Sequence, residues 1–154
     1  MALDDDIALL ARQPLLSLME RDALRLLAFA AESRILRAGD VLFRVGEPSD
    51  GAVMVISGAV ALDSREDGQP AQEIVGPGAL IGEIALFTAV ARPVTAIARE
   101  PTQVMRLSRS VMRRVLAESP ASAEAVAAAI SERLRGFVDQ LTIVQEALVA
   151  IDRG

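Results

Sequence analysis

The chain contains no cysteine, histidine, lysine, tryptophan or tyrosine. Without Cys and His there is no disulfide framework, no zinc site built on thiolate or imidazole, and no cysteine nucleophile. The missing His also excludes a Ser-His-Asp triad and any histidine acid or base. All sixteen basic residues are Arg, which removes Schiff-base chemistry and the P-loop lysine. The only rings are Phe29, Phe43, Phe87 and Phe137, too few for a stacking platform that holds single-stranded nucleic acid. Most enzyme chemistry has no residues to run on, and a protein that is not an enzyme is expected.

Long apolar runs are missing as well. The longest, Ala52 to Leu62, is interrupted by Ser57 and Gly58 and is too short to span a bilayer. The opening Met1-Ala-Leu-Asp-Asp-Asp is acidic where a secretory signal is basic, and no apolar core follows it. A soluble, cytoplasmic protein with no membrane partner is expected.

What is present suits one packed core. The 154 residues are 52% hydrophobic and 24% charged, which fits a single domain over 1–154 and excludes a disordered linker. Sixteen basic residues against twenty-one acidic ones give a net charge of −5. A surface of that sign repels phosphate backbones, so nucleic acid is not expected as a partner.

Along the chain the hydrophobic period changes twice. Over 1–32, Ile7, Leu9, Leu10, then Leu15, Leu16, Leu18, Met19, and Leu24, Leu26, Leu27, Phe29 recur at mostly three- and four-residue spacings, with Pro14 placed to open a second helix. From 33 to 107 the pattern is short strands and glycine turns. Val41, Phe43 and Val45 alternate with Leu42 and Arg44, and Val53 to Ile56 forms a buried-looking run closed by Ser57-Gly58. Ala59 to Leu62, Ile74-Val75, Val94 to Ala98 and Val104 to Leu107 follow, with Asp67-Gly68 marking a hairpin tip. The expected fold is α+β, mainly β: an antiparallel roll of the jelly-roll type flanked by N-terminal helices and two C-terminal ones. Over 108–151, Ser108 caps a helix that ends before Pro120, and a longer helix runs from about Ala121 toward Ile151.

That last helix carries Ile130, Leu134, Phe137, Leu141, Val144, Leu148 and Ile151 at alternating four- and three-residue steps, a heptad seam. Two fates are open to it: a helix laid on its own domain, or a seam that joins copies of the chain into a homo-oligomer. Gly136 weakens the helix locally, as a hinge or a close packing point.

The segment with chemistry is Gly82-Glu83-Ile84-Ala85-Leu86-Phe87, which follows the Gly76-Pro77-Gly78 turn, with Arg92 ten residues beyond Gly82. A single helical turn here presents unpaired N–H groups to an anion, and an arginine beyond it can close over that anion with two charge-assisted bonds. A glutamate suits a sugar hydroxyl, a donor that needs an acceptor. The set fits a sugar phosphate. Spacing alone leaves the alternative that Glu83 and Arg92 form a structural ion pair.

Gly82-Glu83-Ile84-Ala85-Leu86, then Arg92 and Thr95, resembles the phosphate-binding cassette of cyclic nucleotide-binding domains. The resemblance extends to Ala38-Gly39-Asp40, Gly46-Glu47, Ile56-Ser57-Gly58 and Gly76-Pro77-Gly78, and to the order of elements from about Leu15 to Arg135. It implies a cassette over 82–95, in which Glu83 accepts from a ribose 2′-hydroxyl. Arg92 then pairs with the cyclic phosphate, helped by N–H groups near Ala85 and Leu86, while Gly82 allows close approach. It further implies a lid made by the last two helices, with Phe137, Leu134, Leu141 or Val138 as an apolar cover for the base.

The chain departs from the cassette pattern at Ala91, Pro93 and Val94. Pro93 has no N–H for a phosphate and no hydroxyl for guanine's amino group, which tilts the expected ligand toward cAMP over cGMP. Only Asp152, Arg153 and Gly154 follow the seam, so the resemblance implies a sensor without a DNA-binding domain on this chain. The expected protein is a sensor that binds a cyclic nucleotide as ligand, needs no cofactor or metal, and passes its signal to an effector protein. The alternative is a degenerate roll without ligand that serves as a docking or self-association module.

Overall fold

Strands that bury both faces organise this molecule. The computed structural model describes residues 2–65 and 69–153. Helices α1 (Ala2–Leu10) and α2 (Arg21–Phe29) precede eight strands: β1 (Glu32–Leu36), β2 (Val41–Phe43), β3 (Gly51–Ser57), β4 (Val60–Asp63), β5 (Glu73–Val75), β6 (Leu80–Ile81), β7 (Thr95–Ala98) and β8 (Thr102–Ser108). Helices α3 (Arg109–Glu118) and α4 (Pro120–Arg153) follow. The strands make two antiparallel four-stranded sheets, ordered β1-β8-β3-β6 and β2-β7-β4-β5. This is the expected α+β roll with helices at both ends.

Side-chain alternation splits the buried residues into two cores. Val53 and Val55 of β3 and Val104 of β8 point into the roll, where they meet Phe43, Val60, Ile81, Ala96 and Ala98. Ala52, Met54, Met105 and Leu107, on the opposite faces of the same strands, pack against Leu10, Leu16, Leu24, Leu27, Met112 and Val126 of the helical layer. A strand covered on both faces reads as a continuous apolar run, which is why residues 51–55 are all buried.

The helix boundaries follow local chemistry. The Ser108 hydroxyl accepts from the Val111 N–H at 3.1 Å, the expected cap of α3. Pro120 takes the first position of α4, where its missing N–H costs nothing. Three details differ from the sequence expectation. Pro14 leads only into a single 3₁₀ turn, Leu16–Leu18, and α2 starts at Arg21; Leu15 and Leu16 are drawn into the core instead. The strand read from Val41 to Val45 stops at Phe43, and the Val45 N–H donates to the Thr95 hydroxyl at 2.9 Å instead of to a ladder carbonyl. The two-residue strand β6 was too short to show as a pattern. The expected tip at Asp67-Gly68 lies outside the described residues.

The first part of α4 buries Ser122 and Val126 and packs Ile130 on the helical core. From residue 131 to Ile151 every position is exposed. Beyond Ile130 the chain therefore does not lay its heptad seam on its own domain.

Candidate functional site

The site begins where β6 ends. Gly82 adopts φ +80°, a left-handed conformation open to glycine, and starts the 3₁₀ turn Glu83–Leu86. A Cβ at Gly82 would stand 2.9 Å from Nη1 of Arg92, so the glycine also makes room for the guanidinium.

Backbone bonds to one loop hold Arg92 in place. Its N–H donates to the Glu47 carbonyl and its own carbonyl accepts from Gly46 N–H, both at 2.8 Å, and Pro48 bridges Ala91. The side chain turns into the roll and is only 6% exposed. Its guanidinium carbon lies 4.2 Å from the centre of the Phe43 ring, a cation–π contact. Nη2 lies 3.5 Å from Oδ1 of Asp50, whose other oxygen lies 3.3 Å from Arg106. The buried Nε has no hydrogen-bond partner among the described residues. Burial pushes the Arg92 pKa below the usual arginine value, Asp50 opposes the shift, and Arg106 and Arg109 add to it. The result is a desolvated cation with a donor left over.

Arg92 and Phe43 separate two cavities. One, of about 420 Å³, is lined by Leu62, Glu73, Val75, Ala79, Leu80, Ile81, Gly82, Pro93 and Val94 besides Arg92 and Phe43. Its size suits a small ligand, and its walls are mostly apolar with few polar groups, the usual make-up of such sites. The other, of about 270 Å³, adds Arg34, Glu47, Asp50 and Arg106.

The remaining residues singled out in the sequence are distributed unequally. Gly82, Arg92 and Pro93 line the larger cavity. Glu83 lines neither cavity: its Oε2 accepts from Leu15 N–H at 3.1 Å, tying the turn Glu83–Leu86 to the N-terminal 3₁₀ turn. It makes no ion pair with Arg92, whose carboxylate partner is Asp50. The Ala85 N–H is bonded to the Gly82 carbonyl at 2.9 Å, and Leu86 is fully buried in the helical core. Ile84 is largely exposed. Thr95 is buried with its hydroxyl accepting from Val45. Phe137 is 59% exposed on the distal part of α4 and lines none of the cavities described here.

Sequence reasoning missed Phe43, Asp50, Glu73 and Arg109. Arg109 donates through Nη1 to the carbonyls of Ala85 (2.9 Å) and Thr88 (3.1 Å) and through Nη2 to that of Ser49 (2.7 Å). It thereby joins the first residue of α3 to both ends of the site. A signal existed: a cation at the first position of a helix opposes the helix dipole, so Arg109 needs another reason to be there. Asp50 and Phe43 carry no such mark, because both are brought to Arg92 by pairing of distant strands.

Residues 33–119 match the cyclic nucleotide-binding domain family, and the chain belongs to that family. A cyclic nucleotide-binding-like protein from Brucella abortus is 42% identical, with a TM-score of 0.68 over 73% of this chain and 98% of that one. The N-terminal domain of a transcriptional regulator from Streptomyces coelicolor is 30% identical, with a TM-score of 0.75 over 86% of this chain and 94% of that one. A lysophospholipase of Neurospora crassa is 30% identical over 113 residues, 72% of this chain, but the chain spans only 8% of that protein's length. Among the described residues no helix is long and apolar enough to cross a membrane, and no group of acidic side chains is gathered that could hold a metal ion.

Proposed function

We propose that this domain is a sensor that binds a 3′,5′-cyclic nucleotide in the cavity of about 420 Å³ and signals through its C-terminal helices. One observation carries the reading. Arg92 is a buried cation beside an apolar cavity, and its Nε lacks an acceptor. A buried donor without a partner costs free energy that an anionic oxygen recovers. The cyclic phosphate sits at Arg92 and Gly82, and the sugar and base lie along Leu62, Val75 and Ile81. Glu83 holds Leu15 with Oε2 and lies outside the cavity lining, so the ribose 2′-hydroxyl reaches it only if that bond rearranges on binding. On the cassette side Pro93 offers guanine no hydroxyl, so nothing there favours that base.

Arg109 is the route to the helices, because it ties the carbonyls of Ala85 and Thr88 to the start of α3. Switching from 1:99 to 99:1 takes about 5.5 kcal/mol of differential affinity, so ligand contacts at the cassette must differ between two positions of α3 and α4. The exposed seam of α4 from Leu134 to Ile151 joins copies of the chain, and an effector protein reads the assembly. In this reading the domain is regulatory and carries out no catalysis in the cytoplasm where it works.

A thermal-shift screen of cyclic mononucleotides tests the sensor reading. Ligand at 100-fold above Kd adds about 2.7 kcal/mol to stability, and Arg92→Ala abolishes the shift. A second reading, a ligand-free docking module, draws on the Glu83–Leu15 bond and on the donor missing at Pro93. It requires that no cyclic nucleotide moves the melting point even at millimolar concentration.

A further inference from the structure

The larger cavity holds two charged side chains, Arg92 and Glu73, among eleven lining residues. Arg92 has an explanation in the sensor reading; Glu73 has none. It lies on β5, the edge strand of the second sheet. Strand register fixes its direction: Val75 stands opposite Val60, which is fully buried in the roll, and Glu73 stands opposite Leu62. With side chains alternating along a strand, Glu73 shares the side of Val75 and not that of Ile74, and, being exposed, it stands at the rim of the cavity that it lines. No hydrogen bond or ion pair among the described residues engages the Glu73 carboxylate. Strand β5 lies two strands from β7, at whose entrance Arg92 sits, a span of about 10 Å across the sheet. That leaves room for a sugar and a base between the two charges.

We infer that Glu73 reads the base of the bound nucleotide and selects guanine, so that the domain takes cGMP in preference to cAMP. The inference rests on the sensor reading of the same cavity. A carboxylate has two acceptor oxygens and no donor. Guanine presents N1–H and a 2-amino N–H side by side, and the two match the two oxygens. Adenine sets one amino donor beside the lone pair of N1, which repels the second oxygen. Hypoxanthine keeps N1–H but lacks the amino group. Guanine pairs with both oxygens and adenine with only one, so the match favours guanine by about one charge-assisted hydrogen bond even at a carboxylate that water reaches. The missing hydroxyl at Pro93 argues against guanine on the cassette side only; a charged acceptor contributes more than a neutral hydroxyl.

Calorimetric titration of the intact chain with cGMP, cIMP and cAMP tests this, in the wild type and in Glu73→Ala, Glu73→Gln and Arg92→Ala. The wild type binds cGMP about tenfold more tightly than cAMP, with cIMP between them. Glu73→Ala brings the three affinities together, with an unchanged melting point as the check on folding. Glu73→Gln, which carries one donor and one acceptor and so matches adenine, reverses the order. Equal or tighter binding of cAMP by the wild type, or an unchanged preference in Glu73→Ala, overturns the role of Glu73. The sensor reading survives that result if Arg92→Ala still removes binding. Absence of binding by all three nucleotides overturns both.

Discussion

The segment from Gly82 to Arg92 has two faces, and they are built on opposite principles. Toward the helices, Glu83 holds Leu15, Leu86 fills the core, and Arg109 ties the carbonyls of Ala85 and Thr88 to α3. Both charged side chains there, Glu83 and Arg109, have partners. Toward the roll, Arg92 is buried against Phe43 with Nε unpaired, beside a cavity of about 420 Å³. The first face stabilises the fold; the second retains an unmet need that a ligand can satisfy. Stability and binding are therefore separable in this domain.

Mutations on the two faces sharpen that contrast. Arg92→Ala has the largest effect on binding, a loss of about 2–5 kcal/mol measured by calorimetry. Its melting point stays near the wild-type value, because the lost pair with the exposed Asp50 is worth little and an unsatisfied buried donor goes with it. A large fall in melting temperature would erase the distinction between the faces. Leu86→Ala acts on the other side: removing a fully buried side chain from the helical core costs about 3 kcal/mol in denaturant unfolding. Arg109→Ala follows at about 2 kcal/mol, for the loss of charge-assisted bonds to three carbonyls. It also weakens the response of the helices to ligand, read by hydrogen exchange in α3. Gly82→Ala costs about 1–2 kcal/mol of stability through its left-handed backbone and removes binding by displacing the guanidinium. The smallest effect belongs to Ser108→Ala, about 1 kcal/mol for a lost helix cap and none on binding.

The final helix repeats the contrast on a larger scale. Up to Ile130 it packs on the helical core, and beyond residue 130 it is exposed throughout. Light scattering on a chain ending at Ser131 checks the proposed seam: the subunit count falls to one, while melting stays near that of the full chain.

Much of the fold was legible because its signals are local. The change of hydrophobic period near Ser33 marks the start of β1, and Ser108 and Pro120 mark the starts of α3 and α4. Gly82 and Arg92 stood out by spacing. Glu83 stood out too, but its partner Leu15 lies 68 residues away, and no local pattern records that bond. Phe137 has the right chemistry for a base cover, yet on a helix that runs unbroken past Ile130 it is exposed and outside the lining of the cavity. Arg109 carried a local oddity, a cation where the helix dipole is unfavourable, which the capping signal of Ser108 overshadowed.

Composition and order by themselves determined the chemical class. The composition excludes chemistry that depends on His, Cys or Lys, and periodicity follows from the geometry of single elements. The tertiary structure decided which charges meet. Asp50 reaches Arg92, Glu83 turns to the N-terminal helices, and Glu73 faces the cavity, each through strand pairing or packing between distant segments. Burial then set the consequences. The same guanidinium on the surface would be satisfied by water, whereas inside the roll its Nε is left without a partner among the described residues.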